Sequence, residues 1–554
     1  MATAPVETID FDQVFGEIAE RLRKETERRL VPPLVRLWDG DWNLRGVVKK
    51  EIRASFQVRL NETGTGTLDL PDDYYLSKWL KEVHKRDTTS VMVTVDKDGA
   101  RWGGRLEELK VIKEEDGTKY VRCLFKHDYE ELKYILGFAN PFLPPEVQFP
   151  KVWLLWGDAI WACKTTLFCN LLRLEGSLWM LSANPLDPST WDSDPENKLD
   201  PSTWSIVVKP DLAEHRTVSA LVYSRFKTIH DATKNVVKDA QLTWELRRWL
   251  EGDEPPWPGA TVKHGALVVD LVDHSGWTTG TAFTGDVFTG LRYERTNIAQ
   301  DGLTEDIETV PDPNMPVEYF QPGFLGTTPA VPGVVLHETE HGGIKTSEWS
   351  WKPATAVRVV GGGNSMPGVN EGIGASIRLA GALLALIPGV PDLGGVADAV
   401  LKPLYSNVLL AFGQWEDHQR KARLGSSHYW EKWAEGSDKA YTISWLLAMR
   451  TALWESRETT KLLVQIADGA GGWRVGQNGK GHFYIGTRIA VASDCLPPGE
   501  LAVERVHELT LSWGRNESPN WQIMLGVRET EDPVIRAWEK FQEILGLFRD
   551  LGVL

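Results

Sequence analysis

The stretch from 359 to 405 constrains the fold most, because no other part of the chain is as apolar or as often interrupted by glycine and proline. It opens with the glycine-rich sequence GGGNSMPGVNEGIG at 361–374. Two arms follow, 375–387 and 396–410, in which apolar residues recur at helical spacing. Proline or glycine ends each arm before it reaches the roughly 20 apolar residues that a bilayer span needs. The pattern therefore predicts a helical hairpin, not a membrane helix.

The sequence leaves three placements open for this apolar hairpin. It packs into the core of its own protomer, packs between copies of the chain, or inserts into a membrane. The flanking glycines would let it hinge away from its domain. A hairpin that is apolar on much of its surface needs more apolar contact area than one small domain offers, which favours packing between copies.

The length of the chain limits the number of domains, and its charge limits the kinds of partner. The 554 residues exceed what one hydrophobic core supports, which predicts three or four domains. The 61 basic and 77 acidic residues give a net charge of −16. This balance argues against a nucleic-acid groove or an anionic lipid surface as the main partner, and we expect no sequence-specific nucleic-acid binding.

The cysteines and the N-terminus indicate where the chain is made. Cys123, Cys163, Cys169 and Cys495 have no CxxC spacing, so neither a zinc knuckle nor a dense disulfide framework is predicted. The first 15 residues carry acidic groups where a signal peptide has basic ones, and no apolar segment follows. We expect cytoplasmic synthesis with free thiols.

Tryptophan is the unusual component of the composition. The chain has 25 tryptophans, several-fold above the roughly one per cent that is usual in globular proteins. Tryptophan is enriched at permanent interfaces and also in sugar-stacking sites. Its scattered placement here favours assembly and core packing.

The N-terminal third is predicted to be a helix followed by a small β domain. Residues 12–30 form an amphipathic pattern, with Phe11, Phe15, Ile18 and Leu22 on one side. Residues 52–60 alternate between apolar and polar side chains, as in a half-buried strand. Turns at Asp98-Gly99 and Asp116-Gly117 predict two hairpins, and a short helix is predicted near 74–84. We expect a barrel or sandwich.

The remainder is predicted to alternate between helical and strand-rich segments. The helical ones are 129–176, 412–435, 440–457 and 534–551, and the strand-rich ones are 205–360, 461–466, 483–491 and a last hairpin of 503–513 with 520–526. The sequence LDPSTW occurs at 186–191 and again at 199–204. Because Asp-Pro-Ser-Thr is a turn or helix-start signal, we interpret the two copies as related turns.

The sequence His337-Glu338-Thr339-Glu340-His341 matches the H-E-x-x-H pattern of zinc hydrolases. That chemistry needs a helix, since only positions i and i+4 of one helical face bring both imidazoles to one zinc. Strand formers precede this string and Gly342-Gly343 follow it. In a strand the two histidines would lie about 13 Å apart. Zinc hydrolysis is therefore a distant alternative.

No other catalytic pattern is present. Residues 476–482 are glycine-rich but lack the GxxxxGK[ST] spacing of a phosphate loop, which favours a hairpin turn. There is no G-x-S-x-G elbow, and acidic pairs such as Glu114-Glu115 and Asp72-Asp73 are typical of solvated loops. We predict no enzymatic activity and no catalytic, cofactor-binding or metal-binding residues.

Several motifs together resemble minor tail proteins of siphophages that infect actinobacteria. They run from LVRLWDGDWNLRG and FQVRLNETGTGTLDLP through GGGNSMPGVNEGI, IPGVPDLGGVADAVLKPLY and SSHYWEKWAEGSDKAYT to VERVHELTLSWGRNESPNWQIMLG. The resemblance covers nearly the whole chain, and its specific motifs lie at 361–405 and 426–442. It also extends to the baseplate hub proteins of long-tailed phages.

The resemblance implies an α+β, multidomain fold. Two tube-like antiparallel β-barrel or sandwich domains would carry helical decorations and the apolar hairpin as an insertion. The expected division is an N-terminal helix (1–33), a first β domain (34–127), a helical or loop connector (128–204), a second β domain (205–360), the hairpin with a following helix (361–436), a helix with C-terminal β elements that complete a tube-like domain (437–530), and a C-terminal helix (531–554).

The resemblance also implies a structural function at the tip of the tail. The chain would form a trimeric hub of the virion, made in the host cytoplasm, that closes or extends the tail tube for attachment and DNA delivery. Its expected partners are further copies of itself, the distal tail protein, the tape measure protein, other minor tail proteins and the host envelope. The alternatives are a carbohydrate-binding adhesin and, more distantly, the zinc hydrolase.

Overall fold

The computed structural model describes the greater part of the chain. The described residues are 11–176, 200–211, 219–240, 242–274, 296–298, 305–306, 334–338, 343–362, 412–435, 448–449, 451–453, 455–457, 459–469, 472–494 and 500–525. The predicted apolar hairpin, the first LDPSTW copy and the C-terminal helix lie outside these residues.

The helices within these residues are few. They are α1 (Phe11–Leu30), α2 (Tyr75–Lys81), α3 (Ala159–Leu174), α4 (Ile229–Asp239) and α5 (His418–Leu424), with 3-10 turns at Val83–Lys85, Asp128–Lys133 and Pro201–Thr203. The first two confirm the helices predicted at 12–30 and near 74–84. The described residues 448–449, 451–453 and 455 are also helical and lie inside the helix predicted at 440–457. No described helix combines the length and the apolar character that crossing a membrane requires.

Strands make up most of the described structure. The first group is β1 (Leu34–Asp39), β2 (Leu44–Val48), β3 (Arg53–Arg59), β4 (Thr65–Pro71), β5 (Val91–Lys97), β6 (Ala100–Lys113) and β7 (Lys119–His127). The second is β8 (Leu136–Gly137), β9 (Trp153–Asp158), β10 (Ile206–Val208), β11 (Ser219–Ser224), β12 (Lys227–Thr228), β13 (Thr243–Arg248) and β14 (Leu267–Val272). The third is β15 (Thr296–Ile298), β16 (Glu305–Asp306), β17 (Val335–His337), β18 (Ile344–Lys352), β19 (Ala356–Gly362), β20 (Phe412–Glu416), β21 (Tyr429–Trp433), β22 (Thr459–Ile466), β23 (Arg488–Ala492), β24 (Glu500–Gly514) and β25 (Glu517–Leu525).

The largest sheet joins the two ends of the chain. Its main path is β18-β22-β25-β24-β3-β4-β7-β6-β5-β1-β2, with β15, β16, β17 and β23 attached beside β24. Within the described residues this path is open, with β18 and β2 at its two ends, so the barrel expected for 34–127 does not close there. The reason is that β3 uses its second edge to pair with β24, which follows it by more than 400 residues.

Local sequence patterns account for the strands of this sheet. In β3 the buried side chains Ala54, Phe56 and Val58 alternate with more exposed ones, as period-two spacing requires. The Asp98-Gly99 turn joins β5 to β6 with positive φ at both residues, the backbone of a tight hairpin. Both predicted hairpins are confirmed. The C-terminal hairpin is confirmed as well, since β24 and β25 pair with Leu511 opposite Trp521.

A second hydrophobic core lies around the three-stranded sheet β10-β14-β13. Helix α3 and the two-stranded ribbon of β9 and β11 contribute to it, so segments on both sides of residue 204 share one core. In the second LDPSTW copy, Asp200 accepts a hydrogen bond from the Ser202 amide at 2.9 Å and Trp204 is buried, which confirms the predicted turn.

Two of the predicted helical segments are confirmed only in part, since α3 covers 159–174 of the first and α5 covers 418–424 of the second. Between 129 and 158 the chain forms a 3-10 turn, a loop and β9, because four prolines interrupt any helix there and because β9 pairs with β11. Between 412 and 435 only the seven residues of α5 are helical. Gly425, at φ 74°, ends that helix, and the flanking β20 and β21 pair with the two edges of β19.

Candidate assembly site

The His337-Glu338 string lies in a strand and not in the helix that a zinc hydrolase requires. His337 ends β17, which pairs in parallel with β23, and His341 lies outside the described residues. The Glu338 carboxylate accepts hydrogen bonds from the hydroxyls of Ser347, at 2.8 Å, and Ser493, and from the Asp494 amide at 3.0 Å. Among the residues that the structure describes, no group of three or more His, Cys, Asp or Glu could hold a metal. Glu338 thus ties three segments together.

Replacing Glu338 with glutamine should make the free energy of unfolding less dependent on pH in the acid range. The Ser493 and Ser347 hydroxyls lower the pKa of Glu338. A carboxylate with a lowered folded pKa contributes stability that is present above its unfolded pKa, about 4.3, and is lost as the pH falls through the folded pKa. We expect Glu338→Gln to remove this contribution and to leave zinc content unchanged. Urea unfolding between pH 3 and 7 with metal analysis measures both, and a change in zinc content would contradict the structural role.

The glycine-rich segment at 476–482 packs against the first sheet. Gln477 donates its amide to the carbonyl of Asp98 at 3.2 Å, and the Asn478 side chain donates to the carbonyl of Gly99 at 3.3 Å. A turn closes where the Lys480 amide donates to the Gln477 carbonyl at 3.1 Å. The segment is therefore a turn, as predicted, and its contacts hold the β5–β6 hairpin.

A buried ion pair joins the first sheet to the second core. The Arg248 guanidinium of β13 binds both carboxylate oxygens of Asp128, at 2.8 and 3.1 Å, and the two side chains are 4% and 1% exposed. Gly103 of β6 permits the approach, because a Cβ there would lie 2.1 Å from an Asp128 oxygen. Burial lowers the pKa of the adjacent His127 to about 4, so this imidazole is neutral at pH 7.

Further contacts make this junction rigid. Arg101 of β6 donates to the Arg248 carbonyl at 2.9 Å and also binds Asp253. Asn61 donates to the Leu242 carbonyl at 2.8 Å, and its side-chain oxygen accepts the Trp244 amide at 2.9 Å. Since these bonds connect segments more than 140 residues apart, they fix the position of the second core against the first sheet.

Two strand surfaces expose aromatic or apolar side chains. The nine-residue β18 is the end strand of the large sheet, and its Trp349 and Trp351 are 40% and 51% exposed. The outward face of the β9–β11 ribbon carries Leu154 and Trp156, which are 42% and 50% exposed. Such edges and faces are typical of surfaces that pair with another chain.

A third aromatic surface lies on β21. Tyr429, Trp430 and Trp433 are 72%, 55% and 49% exposed. The Lys421 ammonium lies 4.8 Å from the centre of the Trp430 ring. Arg358 of β19 binds Glu431 at 3.0 Å, between the two outer aromatic residues of the strand.

The sequence profile of the Siphovirus ReqiPepy6 Gp37-like protein family matches residues 34–527. The chain belongs to this family of siphophage tail proteins. The match includes the large sheet, the junction and all three exposed surfaces. As a phage tail protein, this family member is a component of the virion.

Two minor tail proteins are similar to the chain over nearly its whole length. Minor tail protein Gp28 of Mycobacterium phage L5 is 35% identical over 590 aligned positions, which cover 98% of each chain. Minor tail protein Gp28 of Mycobacterium phage D29 is 34% identical over 589 positions with the same coverage. The resemblance predicted from the motifs is therefore confirmed.

Two solved structures of tail proteins show a weaker likeness to the chain. A tail protein from Neisseria meningitidis MC58 gives a TM-score of 0.34 at 10% identity, covering 92% of this chain and 99% of the other. The 43 kDa tail protein of prophage MuSo2 from Shewanella oneidensis gives 0.34 at 10%, covering 91% and 99%.

The residues of the junction were not found from the sequence. Asp128 and Arg248 are 120 positions apart, and neither belongs to a motif or a periodic pattern. The one local signal is the Asp-Tyr-Glu-Glu sequence after β7, which indicates a helical turn that begins at Asp128. The sequence shows that the chain has 25 tryptophans but does not show which of them are exposed.

Proposed function

We propose that this family member is a structural hub subunit at the tip of a siphophage tail, where three copies form a ring that closes or extends the tail tube. The observation that carries the proposal is the large open sheet with an aromatic strand, β18, at one end. A ring with three-fold symmetry needs two different surfaces on each copy, one to meet the other on the next copy. The β18 edge and the β9–β11 ribbon supply two such surfaces.

The junction supports a role as a stiff ring element. If two β domains of one chain take neighbouring places around a tube, their relative angle must stay constant. The buried Asp128–Arg248 pair and the Asn61 bonds hold that angle. The proposal includes the expected division into a first β domain (34–127), a connector (128–204) and a second β domain (205–360). Its other partners would be the distal tail protein, the tape measure protein and other minor tail proteins.

We expect the purified protein to be a trimer of about 186 kDa, three times the chain mass of 62.1 kDa. Trp349→Lys with Trp351→Lys should give a monomer, because two charges at a buried aromatic contact cost more than the contact contributes. Light scattering measures both masses.

Val111→Lys is the control, since Val111 is an exposed apolar residue on an inner strand of the same sheet, 55% exposed. The control should remain a trimer. If the Trp349/Trp351 variant is still a trimer, the interface between copies does not include β18. If the wild type is a monomer, the ring does not form without other tail proteins. Electron microscopy of tails should find three copies at the tip.

A carbohydrate-binding adhesin is the second candidate, favoured by the aromatic surface of β21. Exposed tyrosine and tryptophan rings stack on sugar faces, and the Arg358–Glu431 pair between Tyr429 and Trp433 offers polar contacts to hydroxyls. Binding to purified envelope polysaccharide that is lost in Tyr429→Ala with Trp433→Ala would favour this function over a purely structural one.

A further inference from the structure

The turn at 476–482 contains the one Asn-Gly pair in the sequence, Asn478-Gly479. Both residues are exposed, and both have positive φ, 54° and 72°. Apart from the chain neighbours of Gly479, no heavy atom of the described residues lies within 4 Å of the place that a Cβ on Gly479 would occupy. Because glycine itself has no side chain, the Gly479 nitrogen can approach the Asn478 carboxamide with little steric hindrance.

A long hydrogen bond restrains the Asn478 side chain. Its nitrogen donates to the Gly99 carbonyl at 3.3 Å, beyond the range of about 2.7–3.2 Å that N–H···O bonds usually span. Asn61 is the internal comparison, since its φ of 51° is nearly the same. Its carboxamide makes two shorter bonds, to the Leu242 carbonyl at 2.8 Å and from the Trp244 amide at 2.9 Å, and the residue after it carries a side chain. Of these two asparagines, Asn478 therefore has the freer carboxamide.

We propose that Asn478 undergoes spontaneous deamidation, a reaction that makes asparagine one of the thermolabile residues of proteins. The Gly479 backbone nitrogen attacks Cγ of Asn478 and forms a C–N bond. The bond from Cγ to Nδ2 breaks, and Nδ2 leaves as ammonia with the proton that the Gly479 nitrogen loses. Water then opens the cyclic imide, on the Cγ side to give aspartate or on the side of the Asn478 backbone carbon to give isoaspartate. Each product carries a negative charge that asparagine lacks.

The turn holds three parts of the molecule together, so a reaction within it has structural consequences. Gln477 donates its amide to the Asp98 carbonyl at 3.2 Å and its side-chain nitrogen to Glu245 of β13 at 3.1 Å. Arg28 of α1 donates to the Lys480 carbonyl at 3.2 Å. The turn thereby connects the β5–β6 hairpin, the sheet of the second core and the N-terminal helix.

Deamidation removes the contact between the turn and Gly99. A carboxylate at 478 has no hydrogen to donate, and its charge repels the Gly99 carbonyl oxygen. In isoaspartate the main chain also runs through Cγ, which lengthens the turn between Gln477 and Lys480. That turn closes where the Lys480 amide donates to the Gln477 carbonyl at 3.1 Å. We expect the modified turn to separate from the β5–β6 hairpin more often than the unmodified one.

The test follows the full-length protein during storage at pH 8, where more of the attacking amide is deprotonated than at pH 6. Tryptic digestion separates Asn478, in the peptide 475–480, from Asn61, in the peptide 60–78. Mass spectrometry should find a carboxyl group in place of the carboxamide in 475–480, in two chromatographic forms for the two products. The converted fraction of 475–480 should exceed that of 60–78 by at least about ten-fold, because a side chain follows Asn61 and glycine follows Asn478.

Two variants test the structural consequence. Asn478→Asp carries the charge of the products, whereas Asn478→Gly fits the same positive φ but has neither that charge nor the bond to Gly99. Amide hydrogen exchange of residues 475–483 should be about ten-fold faster in Asn478→Asp than in the wild type, and intermediate in Asn478→Gly. Stored Asn478→Gly should show no change of mass in the peptide 475–480.

A synthetic peptide of residues 474–484 is the unfolded reference. If this peptide is converted while the stored protein is not, the fold protects Asn478 and the proposal is wrong. Equal conversion of 475–480 and 60–78 would instead assign the reaction to unfolded chains. If Asn478→Asp exchanges at the wild-type rate, deamidation does not loosen the turn, and the structural part of the proposal is wrong. None of these outcomes depends on whether the protein forms a trimer.

Discussion

Arg248→Ala should lower the free energy of unfolding by about 3–5 kcal/mol, because it leaves the Asp128 carboxylate buried without its guanidinium. Asp128 is 1% exposed and Arg248 binds it through two nitrogens. The substitution also removes the cation from above the Trp42 ring, 5.0 Å from its centre. Urea unfolding followed by tryptophan fluorescence measures the loss. Because the pair lies at the junction, the first sheet and the second core should then unfold at different urea concentrations.

The controls separate the buried pair from charge in general. Arg105 pairs with Glu131 at 2.8 Å but is 55% exposed, so Arg105→Ala should cost less than about 1 kcal/mol. Replacing both partners, as Asp128→Asn with Arg248→Met, should recover part of the loss because no charge then stays buried alone. A loss below 1 kcal/mol for Arg248→Ala would mean that the junction depends on its other contacts.

Trp513→Ala should cost about 3–5 kcal/mol, the usual result of truncating a large buried aromatic side chain. Trp513 of β24 is 3% exposed and stacks on Phe56 of β3 with ring centres 5.7 Å apart. Its indole nitrogen also donates to Glu51 at 2.8 Å. The contact holds the C-terminal hairpin against the N-terminal strands. Thermal unfolding followed by circular dichroism should therefore show one lowered transition for the whole sheet.

Trp156→Ala is the matched control, since Trp156 is 50% exposed on the β9–β11 ribbon. In the isolated protein this change should alter stability by less than about 1 kcal/mol. Equal losses for the two tryptophans would contradict the assignment of Trp513 to the core and of Trp156 to the surface.

The sequence predicted strands well where the pattern was local. The alternation in β3 and the Asp-Gly turns of the β5–β6 and β6–β7 hairpins depend on residues within ten positions of each other. It failed at 412–435, where aromatic and charged residues recur at a spacing that suits a helix. There β20 and β21 form because both edges of β19 need partners, and that need is absent from the local sequence.

The sequence by itself determined the family and the β5–β6, β6–β7 and β24–β25 hairpins, and it contains no recognisable catalytic motif. No sequence pattern predicted the junction. Only the tertiary structure decided that β24 lies beside β3, that Arg248 meets Asp128, and that Trp349 and Trp351 of β18 are exposed. The physical reason is the distance along the chain between the residues that interact. Turn geometry and side-chain alternation are set by neighbouring residues, whereas the pairing of distant strands and charges depends on which edges and buried groups the rest of the chain leaves unsatisfied.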